Sequence, residues 1–180
     1  MSVSLEEIPS VAAEAWLRLR DVLQVSLGDG LIALWGEGST IHPDRRRNIF
    51  SDLDSTAVVE HVIDEHLGAR LEAALARLAV DTGIDTEWHE PSEKPCWEID
   101  YVLAADVGGV EFARDARSSR HHKRNVMWAA KRAHWLAGWY VPLYGPTPEQ
   151  LVVPPTWPEL EYALGRELEH LERHVLEGDS

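Results

Sequence analysis

The chain has 180 residues, of which 44% are hydrophobic and 27% are charged. This length and composition are typical of one globular domain and exclude a disordered chain. Acidic residues outnumber basic ones by 31 to 17, giving a formal net charge of −14. That charge disfavours a nucleic-acid-coating protein, because phosphate binding needs the opposite sign, and it favours cationic substrates or partners.

Cysteine content and hydropathy predict a cytoplasmic protein without a membrane segment. Cys96 is the only cysteine, so no internal disulfide can form. Glu6, Glu7 and Glu14 lie where the apolar core of a signal peptide would be. No apolar run approaches the length that spans a bilayer.

The first half of the chain predicts two helices and two strands. Apolar residues that recur every three or four positions indicate the helices, and short apolar or β-branched runs indicate the strands. In chain order these elements are helix Val11–Leu23, strand Leu31–Trp35, loop Gly36–Ser51, strand Asp52–Val59 and helix His61–Ala79.

The second half predicts further strands, a helix and a C-terminal helix that follows a proline-rich segment. Thr156 and Glu159 have capping-box spacing at the start of this last helix. The order of elements indicates an α+β fold, a mixed β-sheet flanked by helices. The other predicted elements are strands Asp85–Glu90, Trp97–Ala104 and Val110–Phe112, helix Ser119–Ala137 and strand Trp139–Tyr144.

A glycine-serine pair followed by two aspartates is the most informative pattern. Gly38-Ser39 follows a predicted strand, and Asp52 and Asp54 open the next one. Glycine lets a backbone approach phosphate oxygens without a Cβ in the way. Residues two apart in a strand share a face, so the aspartates can bind common Mg²⁺ ions. Gly36 lies close enough to Gly38 that the sequence leaves open which glycine forms the phosphate loop.

A third carboxylate commonly completes a two-metal phosphoryl-transfer site. Asp100 lies within an otherwise apolar predicted strand, where a carboxylate is costly to bury unless a cation or metal pairs with it. Glu98 lies on the same face of that strand and is the alternative candidate. The sequence therefore predicts that acids distant in the chain meet in one pocket.

Together, Gly38-Ser39, Asp52-Leu53-Asp54 and the isolated Asp100 resemble the signature of the DNA polymerase β-type nucleotidyltransferase superfamily. Within it, the chain is most similar to the aminoglycoside (antibiotic) nucleotidyltransferases and to small stand-alone nucleotidyltransferase-domain proteins. The segment Leu143-Tyr144-Gly145-Pro146 also resembles part of the adenylyltransferases that modify streptomycin and spectinomycin.

This resemblance implies a nucleotidyltransferase domain over residues 1–146, with residues 147–180 as a helical extension packed on it. It implies Mg²⁺-dependent transfer of a nucleoside monophosphate, AMP from ATP as the first expectation, to a hydroxyl of a small cationic acceptor such as an antibiotic. Asp52, Asp54 and Asp100 would bind two Mg²⁺ ions and carry the chemistry. Gly38 and Ser39 would hold the triphosphate.

Basic residues near the motif are further candidates for nucleotide binding. Arg45 belongs to an arginine run between the two halves of the motif. Lys123 belongs to a basic cluster at the start of the predicted helix Ser119–Ala137, where positive charge opposes the helix dipole and an anion would relieve the conflict. Solvated surface charge is the alternative for both.

Two other functions remain open at this stage. Asp100 and Glu111 loosely resemble a restriction-endonuclease-like core, but Ala113 stands where that core needs a lysine, and the acidic surface disfavours DNA. Alternatively, the fold serves an antitoxin-type protein that adenylylates a protein or only binds one, with the leucine-striped final helix as the pairing surface. The sequence leaves open the acceptor, the nucleotide and whether the protein forms a homodimer.

Overall fold

The computed structural model describes residues 2–42, 52–84, 97–108, 113–114, 116–117, 124–125 and 127–177. The candidate residues Arg45, Lys123 and Glu111, like the predicted strands Asp85–Glu90 and Val110–Phe112, lie outside these ranges. Within them, every helix is too short or too polar to serve as a membrane span.

A four-stranded mixed sheet forms the centre of the described structure, in the order β3-β2-β1-β6. β1 runs antiparallel to both β2 and β6, whereas β2 and β3 are parallel. β4 and β5 form a separate antiparallel pair. The strands are β1 (Leu31–Gly36), β2 (Leu53–Val59), β3 (Trp97–Leu103), β4 (Ala113–Arg114), β5 (Arg124–Asn125) and β6 (Val141–Tyr144).

Helices flank both faces of this sheet, which confirms the predicted α+β class and the C-terminal helix. The helices are α1 (Ser10–Leu27), α2 (Glu65–Thr82), α3 (Ala104–Val107), α4 (Trp128–Leu136), α5 (Pro148–Leu151) and α6 (Trp157–Glu177). Helices α1 and α2 pack together, as do α4 and α6.

Two of the predicted helices have the wrong start. The helix predicted over Ser119–Ala137 begins at Trp128, because residues 124–125 pair with residues 113–114 and this tertiary contact overrides the local helical pattern. Helix α2 begins at Glu65 instead of His61, because the Asp64 carboxylate accepts the Leu67 N–H at 2.8 Å and caps it there.

The core is divided between the two faces of the sheet. Trp16, Leu19 and Leu71 belong to the cluster on the α1–α2 face. Trp128 and Trp135 of α4 belong to the opposite cluster, together with Val58 of β2 and Val102 of β3. Because strand side chains alternate between faces, the residues two and four positions before each valine also face α4.

Tryptophan packing fixes α4 against the sheet. The Trp35 and Trp135 rings meet edge to face with centroids 5.0 Å apart, and Trp128 packs on Trp135 in the same way at 5.2 Å. Aromatic pairs of this geometry contribute beyond the area that they bury. The helix is thus held at a defined distance from β1 and β2.

A buried ion pair attaches α6 to α4. Arg132 is only 1% exposed, donates to the Val153 carbonyl at 3.0 Å and pairs with Glu159. The Thr156 N–H and hydroxyl both donate to the same Glu159 carboxylate at 2.7 Å, so the predicted Thr156–Glu159 contact is present.

We expect Arg132→Ala to lower the free energy of unfolding by about 2 kcal/mol, because it removes a buried side chain together with its bonds to the Val153 carbonyl and to Glu159. The matched control is Arg166→Ala, which removes an exposed pair with Glu169 and should cost less than about 0.5 kcal/mol. Urea denaturation measures both. Equal losses in the two variants would show that the Arg132 pair does not stabilise the fold.

Candidate active site

Acidic residues of neighbouring strands meet on the sheet face that packs against α4. In the parallel pair, Asp54 lies opposite Glu98 and Thr56 lies opposite Asp100. Glu37 follows the last residue of β1, and its N–H donates to the Asp54 carbonyl at 2.9 Å. Of the three acids predicted to meet, Asp54 and Asp100 therefore lie on one face, and Glu98 joins them.

These side chains line a cavity of about 550 Å³ between the sheet and α4. Its volume suits a small-molecule ligand. The lining residues are Glu37, Gly38, Asp54, Ser55, Glu98, Asp100, Met127, Ala130, Lys131 and His134.

Gly38 is the glycine at this site. Its φ of 85° is left-handed, and a Cβ at this position would lie 1.8 Å from Asp54 Oδ2. Gly36 has a different role, because a Cβ there would lie 2.9 Å from the Trp16 ring on the other side of the sheet. The backbone can thus approach the Asp54 carboxylate only because residue 38 has no side chain.

The other two predicted residues of the motif, Ser39 and Asp52, are not among the residues that line the cavity. Ser39 begins a short 3₁₀ turn, Ser39–Ile41, directly after Gly38. Asp52 precedes β2, and its carbonyl accepts the Thr40 hydroxyl at 3.3 Å. The roles of Ser39 and Asp52 remain predictions.

Glu37 is the most completely bonded acid of the site. It is 5% exposed, and three side chains, one from β2 and two from α4, donate to its carboxylate. The Thr56 hydroxyl and Trp135 Nε1 donate at 2.7 Å each, and Lys131 Nζ donates at 2.8 Å. A carboxylate with this many donors is held in one orientation.

Lys131 links two of the acids. Its ammonium group donates to Glu37 and, at 2.5 Å, to Asp100 Oδ2. Burial by itself would lower the pKa of Lys131, but the two carboxylates outweigh that effect and raise it above its usual value. Lys131 is therefore a permanent cation and the only lysine or arginine among the described lining residues.

Asp54 is in an unfavourable environment for a charged group. Burial, followed by repulsion from Glu98 and Glu37, raises the pKa of Asp54 to about 8, although Lys131 partly opposes the change. A hydrogen bond with Glu98 adds to the shift. Asp54 and Glu98 thus share a surplus of negative charge that a cation would relieve.

Sequence reasoning identified neither Glu37 nor Lys131. Glu37 separates Gly36 from Gly38, and an acid directly after a buried strand is itself an unusual signal. Lys131 and Trp135 are four residues apart, so a helix places both on one face. That spacing is visible in the sequence, but their shared partner on β1 is not.

An aromatic group lies next to the cavity. His134 lines the cavity, and its ring centroid is 5.3 Å from that of His42. His42 in turn lies 4.3 Å from Trp139, which is 37% exposed. An exposed aromatic surface in this position suits contact with a planar ligand.

The donor chemistry of the cavity suits Mg²⁺, which prefers oxygen ligands. Asp54, Glu98 and Asp100 provide carboxylate oxygens, and a divalent cation would offset the burial and the repulsion from Glu98 that raise the pKa of Asp54. Within the described ranges, however, no three histidine, cysteine or acidic side chains already form a cluster that could hold a metal ion. The Asp100 carboxylate is instead paired with the Lys131 ammonium.

Comparison with solved structures identifies the fold. The chain resembles the crystal structure of spectinomycin adenyltransferase AAD(9) from Enterococcus faecialis with ATP and spectinomycin, with a TM-score of 0.66 and 15% identity. The match covers 88% of this chain and 66% of that one, so this chain spans just under two thirds of its neighbour. The protein has a nucleotidyltransferase-like fold.

The other comparisons add less. A toxin-antitoxin structure with AMP-PNP matches at 14% identity over 89% of this chain and 96% of that one. Its TM-score of 0.34 is too low to establish a shared fold. No protein-family model matches the sequence, and neither does any curated protein.

We expect Gly38→Ala to destabilise the protein more than Gly83→Ala does. Both positions have positive φ, which costs alanine about 1–2 kcal/mol, but only at position 38 would the Cβ meet another group. Displacing the Asp54 carboxyl adds about 1–3 kcal/mol at that site. Urea denaturation measures the loss of unfolding free energy in each variant. Equal losses would mean that Gly38 and Asp54 are not in contact.

The raised pKa of Asp54 predicts a dependence of stability on pH. In the unfolded chain an aspartate titrates near about pH 3.9, so between about pH 4 and about pH 8 only the folded state holds this proton. The contribution of Asp54 to the free energy of unfolding is therefore highest at the low end of this window and falls as the pH rises through it.

Asp54→Asn removes this effect, so we expect the variant to unfold at a higher temperature than the parent at pH 8. A gain of about 1 kcal/mol corresponds to roughly 2–4 °C for a chain of this size. The difference should shrink towards pH 4.5. Thermal unfolding followed by circular dichroism measures it, and a difference that stays constant with pH would contradict the assignment.

Proposed function

We propose that this protein is a Mg²⁺-dependent nucleotidyltransferase that transfers AMP from ATP to an acceptor hydroxyl. The observation that carries the proposal is the arrangement of Asp54, Glu98 and Asp100, which line one cavity on the parallel strands of a nucleotidyltransferase-like fold. The structural neighbour AAD(9), solved with ATP and spectinomycin, supports a nucleotide and a small acceptor as substrates.

The acids of the cavity are the groups that would hold Mg²⁺. Asp54 and Glu98 lie opposite each other in the β2–β3 pair, Asp100 follows on the same face, and Asp52 remains a ligand by resemblance. When bound, the two ions would neutralise charge on the triphosphate and polarise the phosphate under attack. The surplus charge around Asp54 gives the cavity a physical reason to take up divalent cations.

The chain itself positions the substrates. The Gly38 backbone and Ser39 would hold the triphosphate beside Asp54, whose carboxylate lies where a Cβ of residue 38 would be. Arg45 and Lys123 remain candidates for further phosphate contacts. The aromatic group of His42, His134 and Trp139 offers a surface for the nucleotide base.

In this proposal Asp100 acts as the general base. Its side chain is 41% exposed, so an acceptor hydroxyl can reach it from the cavity. The acceptor oxygen attacks the α-phosphorus and its proton passes to the carboxylate. The bond from the α-phosphorus to the bridging oxygen breaks in line, and pyrophosphate leaves.

The charge of the cavity and of the whole chain favours a cationic acceptor. Four carboxylates line the cavity beside a single lysine among the described residues, and the net charge is −14. An antibiotic-like small molecule is the first acceptor class, and a protein side chain, as in the antitoxin-type alternative, is the second. A cytoplasmic homodimer is part of this proposal.

The test is ATP binding and turnover with and without Mg²⁺. We expect Asp54→Asn to reduce pyrophosphate release by about 100-fold or more, since each such interaction supplies several kcal/mol to the transition state. Asp29→Asn is the matched control, because Asp29 is exposed and lies before β1, at the opposite end of that strand from Glu37 and Gly38. The protein is also incubated with each labelled nucleotide and with a panel of aminoglycosides and proteins. The compound that gives pyrophosphate release is the acceptor.

The outcomes separate the candidate functions. Pyrophosphate release only in the presence of a protein acceptor would favour the antitoxin-type activity. No nucleotide binding by the parent protein at any Mg²⁺ concentration would overturn the proposal and leave a binding protein with this fold.

A further inference from the structure

The bridge made by Lys131 is asymmetric. On one side it pairs with Glu37, whose side chain is 6% exposed and which also accepts bonds from Thr56 and Trp135. On the other side it pairs with Asp100, whose side chain is 41% exposed. The ammonium is thus anchored at the buried end and accessible at the other.

The two ion pairs of Lys131 differ in how readily they break. An exposed ion pair contributes little because water and salt compensate both partners. A buried pair is costly to break because one charge is left without a partner in a poorly solvated place. If the bridge opens, it opens at Asp100, and Lys131 stays with Glu37.

We propose that the Lys131 ammonium exchanges partners. It pairs with the Asp100 carboxylate when no ligand is bound, and it pairs with the triphosphate when a divalent metal–nucleotide complex binds. Glu37 is the positioning residue that keeps the ammonium in the cavity during this exchange. The inference rests on the proposed function, since it assigns these two residues to that same site.

The bonding of Glu37 supports this division of roles. Its carboxylate accepts donors from β2, from Trp135 and from Lys131, so it is already occupied as a ligand. Among the described residues, Asp100 pairs with Lys131, and it faces the open cavity. The acid that can change partners is therefore Asp100, and the acid that cannot is Glu37.

The proposal predicts opposite effects of Lys131→Met on two ligands. Without the competing ammonium, Asp100 is available, so Mn²⁺ used as a probe should bind the nucleotide-free protein several-fold more tightly. Without its phosphate partner, the non-hydrolysable ATP analogue AMP-PNP with Mg²⁺ should bind at least about tenfold more weakly, the value of a charge-assisted hydrogen bond. Electron paramagnetic resonance measures the first, and calorimetry the second.

Further variants separate this role from a structural one. Lys131→Arg keeps the charge and should restore most of the AMP-PNP affinity. The double variant Glu37→Gln with Lys131→Met leaves no buried unpaired charge, so it guards against loss of folding and should show the same gain in Mn²⁺ affinity. Arg166→Ala, at an exposed pair, should change neither affinity.

Each result decides the question. Opposite shifts for Mn²⁺ and AMP-PNP in a folded Lys131→Met protein support the exchange. Parallel losses, or no change in either ligand, overturn it even if the parent protein binds Mg²⁺ and nucleotide. Failure of the parent protein to bind AMP-PNP at all would instead overturn the proposed function.

Discussion

The contact between Glu37 and Lys131 joins the two layers on which the cavity depends. Glu37 extends β1, and Lys131 comes from α4, so their bond at 2.8 Å closes the space between sheet and helix. Trp135, one turn further along α4, donates to the same carboxylate, which fixes the rotation of the helix as well as its distance. The remaining acids face a cavity whose walls are set by this one carboxylate.

The hydrophobic packing offsets the free-energy cost of burying this polar contact. Trp35 and Trp128 enclose Trp135 on the inner side of α4, so its indole N–H points to Glu37 with few alternatives. On the other side of the sheet, Gly36 allows the Trp16 ring to lie close against β1. The strand end that carries Glu37 and Gly38 is therefore packed from both faces, and Gly38 reaches Asp54 because the strand cannot move away.

The sequence was sufficient to predict what depends on local pattern. The mixed sheet and the flanking helices follow from periodicity, and the spacing of two residues places Glu98 and Asp100 on one face of their strand. The same spacing predicts that Asp52 joins Asp54, but Asp52 lies before β2 and does not line the cavity. What failed depends on distant contacts: the start of α4 is set by pairing of residues 124–125 with 113–114, and Lys131 acquires its role from Glu37, 94 positions away. No local signal in either segment specifies the other.

The cavity neutralises its own surplus of acid in two different ways. Asp54 retains a proton, since its pKa is raised to about 8, and Asp100 is paired with the Lys131 ammonium. In each case one positive charge can move away from its carboxylate. The proton of Asp54 can pass to solvent, and the Lys131 ammonium can pair with another anion. Replacing the acids by apolar residues would remove the electrostatic cost altogether, as buried ion pairs often do not add stability. Four carboxylates around a cavity of about 550 Å³ therefore add little to the stability of the fold, and binding of divalent cations is the role that we propose for them.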